Sequence, residues 1–252
     1  MEHSSHLHDC LYELDRMSQI VGEMRGRLER AHDRQRRLGA DISHELLTPL
    51  AGLRAELEEA QLHPGETPMQ EILHSALADV DRLQRIITDL LLLVRLEAGM
   101  TAGLAAVDLA ELVRTHVEQR GSPVTMRLRL DPGVTVKAVP SLMERVLSNL
   151  LDNAERYAAH EIGIRVRRDG DTAELSVTDD GPGIADADRE RVFEVFSRLD
   201  EARDRGSGGA GLGLAIARDV TLAHGGTLTA QDTPSGGARF VLRLPLAGSA
   251  SG

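Results

Sequence analysis

Met69, Leu73, Ala76, Val80, Leu83, Ile87, Leu90 and Val94 alternate spacings of four and three without a break. Apolar residues recurring at that average interval form one stripe along a helix, and such a stripe needs another helix to cover it. A similar row precedes it, running Leu14, Met17, Val21, Met24, Leu28, Ala31, Leu38 and Ile42 and broken only at Gln35. Gly22, Gly26 and Gly39 each weaken that first helix by up to about 1 kcal/mol relative to Ala, so packing along the seam has to supply what local propensity lacks. His63-Pro64-Gly65 reads as the turn between the rows. Two helices joined by a short turn make an antiparallel hairpin. One hairpin covers its stripe poorly, whereas two form a four-helix bundle, so a homodimer is expected.

From Thr101 the pattern changes. Leu109 to Val117 reads as a short helix, and Val124, Met126, Leu128 and Leu130 alternate as a strand does. Val134 to Val136 is a further strand candidate. Pro140 to Ala159 reads as a long helix with proline in its first turn. Ile162, Ile164 and Val166 alternate, as do Leu175 and Val177, with Asp169-Gly170 as the hairpin turn between them. A helix over Leu212 to Ala223 and strands over Thr227 to Ala230 and Arg239 to Leu244 follow. Strands mixed with helices indicate an α/β sandwich, so the fold class is α plus α/β, with the boundary near Gly99 to Leu104.

The 252 residues suit about two domains. Aromatics make up only 2%, so Leu, Val, Ile and Ala must build the core. A net charge of −11 lacks the basic footprint that a general nucleic-acid or anionic-membrane binder needs. Cys10 is the single cysteine, which excludes an intrachain disulfide and fits a reducing, cytoplasmic compartment. The longest apolar run, Leu90 to Val94, is far too short for a membrane span. His3, His6 and His8 read as part of a polar terminus rather than a metal site.

The chemistry concentrates in a few segments. DISHELLTPL, Asp41 to Leu50, places His44 about 200° around the helix from Ile42, on the face away from the seam. Thr48, four residues on, shares that face, and Glu45 stands one step round. An exposed imidazole keeps a neutral, nucleophilic nitrogen near neutral pH. Pro49 removes a backbone donor and is expected to interrupt the helix just after the histidine. In LSNLLDNAERYA, Asn149 and Asn153 lie four apart on one helix face, and amide oxygens are suitable hard ligands for Mg²⁺ beside substrate phosphates. In DDGPGI, Asp179 follows a strand, and Gly181, Pro182 and Gly183 turn the backbone tightly. A carboxylate there can accept a hydrogen bond from the exocyclic amine of adenine. In GSGGAGLGLAIA, glycines from Gly206 to Gly213 feed a helix whose backbone N–H groups can cradle phosphates.

With these segments in this order, the chain resembles the cytoplasmic part of a two-component sensor histidine kinase from about Leu38 onward. DISHELLTPL resembles the phosphoacceptor box, LSNLLDNAERYA the N box, DDGPGI and GGAGLGLAI the two glycine boxes, and RVFEVFSRLD the F box between them. The ending GGARFVLRLPL also fits. YELDRMSQIVGEMRGRLERA is similar to the second helix of a HAMP linker. The resemblance implies three parts: a signalling helix over 1–33, a dimerisation and phosphoacceptor domain over 34–100, and an ATP-binding α/β sandwich over 101–248. It implies ATP and Mg²⁺ as cofactors, a response-regulator receiver domain as partner, and a parent receptor in the inner membrane. His44 would be phosphorylated, and Glu45 would orient its ring and assist proton removal. Thr48 would position the water that attacks a regulator's phosphoaspartate. Asn153 would ligate Mg²⁺ with Asn149 beside it, and Asp179 would bind adenine next to Gly181 and Gly183. Arg156 and Tyr157 would lie near the nucleotide. Gly209, Gly211, Leu212 and Gly213 would form the phosphate-side lid, and Arg198 would help neutralise the phosphates. The chain departs from the family at Leu47, where Arg or Lys is usual, at Leu38 for Phe, at Asp180 for Asn and at Ala210 for Thr or Ser.

Two other readings use the same residues. A switch ATPase of the same nucleotide fold would place a Glu at the position of Asn149 to activate water, and an amide is not a comparable base. A dimeric scaffold, or a regulator acting only as a phosphatase, would need the leucine seams without nucleotide chemistry.

Overall fold

The computed structural model describes residues 42–63, 68–97, 103–197, 211–233 and 236–248. The first seam from Leu14 to Leu38, the HAMP-like segment, Arg198 and Gly209 lie outside the described residues. The chain divides into two compact units between Val80 and Asp81.

In the first unit, helix α1 occupies 42–62 and helix α2 begins at Met69; α2 continues to Glu97, so its residues from Asp81 onward belong to the second unit. Glu56 Oε1 accepts from Ser75 Oγ at 2.8 Å, and a Cβ on Gly52 would lie 3.4 Å from Asp79 Oδ2. Position 56 meets 75 and position 52 meets 79, so α1 and α2 run antiparallel. The expected break at Pro49 is not there, since α1 continues through it to residue 62 and Pro49 is buried. The proline removes one backbone donor, but the turns on either side keep their own hydrogen bonds, and burial of the ring holds the helix together. On α2 five of the eight expected seam residues are uncovered in the single chain: Met69, Leu73, Val80, Ile87 and Val94 are exposed, Val94 by 63%, while Ala76, Leu83 and Leu90 are half-buried. A neighbouring stripe, Ile86, Leu93 and Leu96, is the buried one.

The second unit contains strand β1 (Ala105–Asp108), helix α3 (Leu109–Arg120), strands β2 (Thr125–Leu130) and β3 (Thr135–Ala138), and helix α4 (Pro140–Tyr157). Strands β4 (Glu161–Asp169) and β5 (Thr172–Asp179), helix α5 (Gly213–Ala223) and strands β6 (Thr227–Asp232) and β7 (Ala238–Pro245) complete it. Short 3-10 turns at Asp186–Asp188 and Arg191–Phe193 lie between β5 and α5. The five-stranded sheet has the order β2-β4-β5-β7-β6; β2 runs parallel to β4 and the remaining pairs are antiparallel. Strand β1, which the sequence pattern did not suggest, pairs with β3 as a separate two-stranded ladder.

Alternation along the strands explains which face is covered. Ile162, Ile164 and Val166 on β4, Leu175 and Val177 on β5, and Phe240, Leu242 and Leu244 on β7 are all buried. Helix α4 packs on β5 through a stripe that buries Val146, Leu147, Leu150, Leu151 and Ala154, and α5 packs on α4 and β6. On the opposite face, Glu174 is 1% exposed and receives Arg167 at 2.8 Å, Arg243 at 2.8 Å and Arg239 at 3.2 Å. The Arg167 hydrogen bonds, then those of Arg243, hold the Glu174 carboxyl below its ordinary range despite burial.

Caps and cross-ties position α4. Asp108 caps α3, accepting from the Ala110 N–H at 2.8 Å, and Gly121 ends it in a left-handed turn. Arg120 at the end of α3 bonds Glu155 at 2.8 Å and pairs with Asp152, while His116 Nε2 lies 3.1 Å from Ser148 Oγ. Helix α4 stops at Tyr157, two residues before the end read from sequence. The Ala159, His160 and Glu161 N–H groups beyond it all donate to the Asp180 carboxylate.

Candidate functional site

The first site lies on α1. His44 and Thr48 are both exposed, as the helical spacing predicts, while Glu45 is half-buried one step round. Leu47 is 60% exposed and places an apolar surface beside the imidazole. Thr48 Oγ1 donates to the His44 carbonyl at 2.8 Å, which fixes the hydroxyl against the turn that carries the histidine.

The second site gathers residues far apart in sequence. Asp179 closes β5 and is 3% exposed. Its Oδ1 accepts from the Gly181 N–H at 3.0 Å and the Ala238 N–H at 3.2 Å, and no described residue donates to Oδ2. Burial pushes the carboxyl above its ordinary range, and the two backbone donors oppose that rise. Only glycine fits at 181, because a Cβ there would stand 2.4 Å from the Tyr157 carbonyl oxygen. This close approach joins the Asp179 turn to the end of α4, and Gly183 follows in the same turn. The departure at Asp180 has a local role. Its carboxylate accepts the N–H groups of His160, Glu161 and Ala159, which hold its pKa down to about 2.

Asn149 and Asn153 lie on one face of α4, both half-buried, with exposed Arg156 and half-buried Tyr157 further along. Asn149 Nδ2 is buried and has no partner among the described residues. A Cβ on Gly213 would lie 3.4 Å from Asn149 Cγ, so this amide abuts the first residue of α5. Leu212, buried in front of that helix, supplies no side-chain cap to its N–H groups. Gly211 has φ of +71°, and its carbonyl accepts the Phe196 N–H at 3.1 Å. A Cβ on Gly211 would meet the Phe196 backbone at 2.9 Å. Phe193 stacks edge-on against Phe240 at 6.1 Å, and Arg218 of α5 lies 5.0 Å over the Phe193 ring.

A buried donor without a partner among the described residues, beside a helix N-terminus that Leu212 does not cap, suits phosphate oxygens. The Asn149 and Asn153 amide oxygens on the same face suit a hard cation that takes its other ligands from phosphate and water. Among the described residues no group of three or more His, Cys, Asp or Glu forms a self-sufficient metal cage.

Two protein-family models match the chain: the His Kinase A (phospho-acceptor) domain over residues 34–99, and the Histidine kinase-, DNA gyrase B-, and HSP90-like ATPase over residues 138–248. The chain belongs to the two-component sensor histidine kinases. Sensor histidine kinase CpxA of Escherichia coli strain K12 is 37% identical over 228 residues, covering 87% of this chain and 49% of that protein. The solved mycobacterial sensor histidine kinase MprB is 33% identical, with a TM-score of 0.50 over 57% of this chain and 97% of that one. The fold also matches the Acinetobacter baumannii histidine kinase AdeS, with a TM-score of 0.67 and 24% identity over 81% of this chain and 98% of that one. The chain spans about half the length of the curated relatives it matches.

Within this histidine kinase, sequence reasoning missed the backbone of Ala238, which holds Asp179 from the start of β7. It also missed Gly237, where a Cβ would overlap the Asp179 carbonyl oxygen. The GGARFVLRLPL ending fitted the family, but nothing local to it pointed at a carboxylate 59 residues upstream.

Proposed function

We propose that the chain is an ATP-dependent protein histidine kinase, and that His44 takes the γ-phosphoryl group and passes it to an aspartate on a response regulator. The observation that carries this reading is Asn149, whose buried Nδ2 has no partner among the described residues where α4 abuts the start of α5, a helix end that Leu212 does not cap. Asp179, with Oδ2 free of described donors, would accept the adenine amine, and Gly181 and Gly183 would let the base approach the backbone. The N-terminal N–H groups of α5, behind Gly211, Leu212 and Gly213, would receive the phosphates. Arg156, Tyr157, Arg198 and Gly209 complete the proposed nucleotide set.

Asn153, with Asn149 beside it, would hold Mg²⁺, which neutralises phosphate charge when bound. A neutral nitrogen of His44 forms the new P–N bond as the bond to the leaving ADP oxygen breaks. The ring then carries a positive charge, and Glu45 would take the proton from its other nitrogen. Positioning and charge neutralisation supply most of the acceleration. Asn149 cannot act as a base toward water, which favours transfer over hydrolysis. Thr48 would hold the attacking water when the regulator's phosphoaspartate is dephosphorylated.

The uncovered stripe on α2 fits a homodimer built as a four-helix bundle. The domains would run 1–33, 34–100 and 101–248, as the cytoplasmic portion of an inner-membrane receptor. Among the described residues no helix is long and apolar enough to cross a membrane. Incubation with γ-labelled ATP should give an acid-labile label, absent in His44→Gln. A label that persists in that variant, or rapid ATP turnover without any label, would refute the assignment.

A further inference from the structure

The nucleotide reading gives no task to His224, yet its ring joins two helices. Its backbone N–H points to the Val220 and Thr221 carbonyls at 3.2 Å, so the residue is fixed to the end of α5. Nδ1 lies 2.7 Å from the Val220 carbonyl oxygen, which can only accept. Nε2 receives the Val139 N–H at 3.1 Å. These two partners require a neutral imidazole with its proton on Nδ1. Val139 is the N-cap residue of α4, and its own side chain supplies no cap.

We infer that His224 is a positioning residue that pins the axial register of α5 against α4, and with it the geometry of the nucleotide site. The two helices pack together. At one end of the pair His224 meets Val139, and at the other Gly213 meets Asn149. Val139 to Asn149 is about 15 Å along α4, and Gly213 to His224 is about 16 Å along α5, so the helices run antiparallel with matched lengths. A slide of α5 along its axis would shift the start of α5 past the Asn149 amide. The apolar contacts between the helices tolerate small slides, because dispersion is non-directional, whereas a hydrogen bond to a helix terminus does not.

The inference rests on the nucleotide reading, and the test separates the two. In the 252-residue chain, His224→Phe keeps a ring and removes the acceptor. Val139→Pro removes the donor, at a φ of −82° that proline nearly matches. His224→Gln keeps an acceptor. Titration with Mg-ATP should show binding weakened by up to about tenfold for each of the first two variants, the bound set by a register penalty no larger than one hydrogen bond. The double variant should be no weaker than either single one, and His224→Gln should stay within about threefold of the wild type. Nitrogen NMR shifts should report Nδ1 protonated and Nε2 bare. Wild-type affinity in His224→Phe, multiplying losses in the double variant, or a proton on Nε2 would overturn the pin. If His224→Phe does not fold, Val139→Pro and the tautomer decide. A wild-type chain that binds no nucleotide overturns the nucleotide reading instead. In that case the coupling of the two variants in thermal unfolding decides the pin.

Discussion

The Thr48 hydroxyl donates to the His44 carbonyl at 2.8 Å, one turn back along α1. The two side chains share an exposed face, but the hydrogen bond ties the threonine to the histidine's backbone and leaves the imidazole free of it. The two proposed activities should therefore separate. Thr48→Ala should retain phosphorylation of His44 and lose dephosphorylation of the regulator by on the order of tenfold or more. Parallel assays of the acid-labile label and of phosphoaspartate decay check this. Equal loss of both would mean that the helix itself is damaged.

Asp179→Asn should trade binding for stability. An amide oxygen can keep the Gly181 and Ala238 bonds, while the desolvated charge disappears. The folded pKa lies above the ordinary value, so the folded state holds its proton more tightly than the unfolded one and the charged group costs stability at neutral pH. Removing it should raise the thermal midpoint, while ATP binding weakens. Calorimetric unfolding and nucleotide titration on one sample measure both.

Glu174 makes the opposite prediction. Its carboxyl is held below the ordinary range, chiefly by the Arg167 hydrogen bonds, so its contribution is complete above the unfolded pKa of about 4.3 and is lost as pH falls through the folded value. Glu174→Gln should cost about 1–3 kcal/mol at pH 7, discounted because the three arginines are about a third or more exposed. That difference from the wild type should shrink in acid. A constant difference from pH 7 down to pH 3 in denaturant titrations would contradict it.

The uncovered α2 stripe supplies a fourth test. Leu73→Glu combined with Val80→Glu places two charges where a second copy would pack. The protein should become monomeric by light scattering while nucleotide binding is retained, whereas Leu47→Ala, exposed near His44 on α1, should remain dimeric. A double variant that stays dimeric would move the interface elsewhere.

Much of both sites follows from short-range rules. His44 and Thr48 share a face because they are four residues apart on a helix, and so do Asn149 and Asn153. Asp179 comes at the end of an alternating strand, before glycines that permit a tight turn. Pro49 shows where local reasoning misleads. Its missing donor argued for a break, but burial and the neighbouring turns carried α1 through to residue 62.

The sequence by itself determined most of the elements, though not β1, and put His44 with Thr48 and Asn149 with Asn153 on shared helix faces, because periodicity and backbone sterics act over a few residues. Only the tertiary structure decided the strand order β2-β4-β5-β7-β6, the Ala238 N–H on Asp179, the three arginines around Glu174, and the His224 bond to Val139. Those pairings join residues from as few as 7 to as many as 85 positions apart, across strands and helix ends. Hydrogen bonds of this kind depend on position and direction, and only the packed sheet and its helices bring the partners within reach.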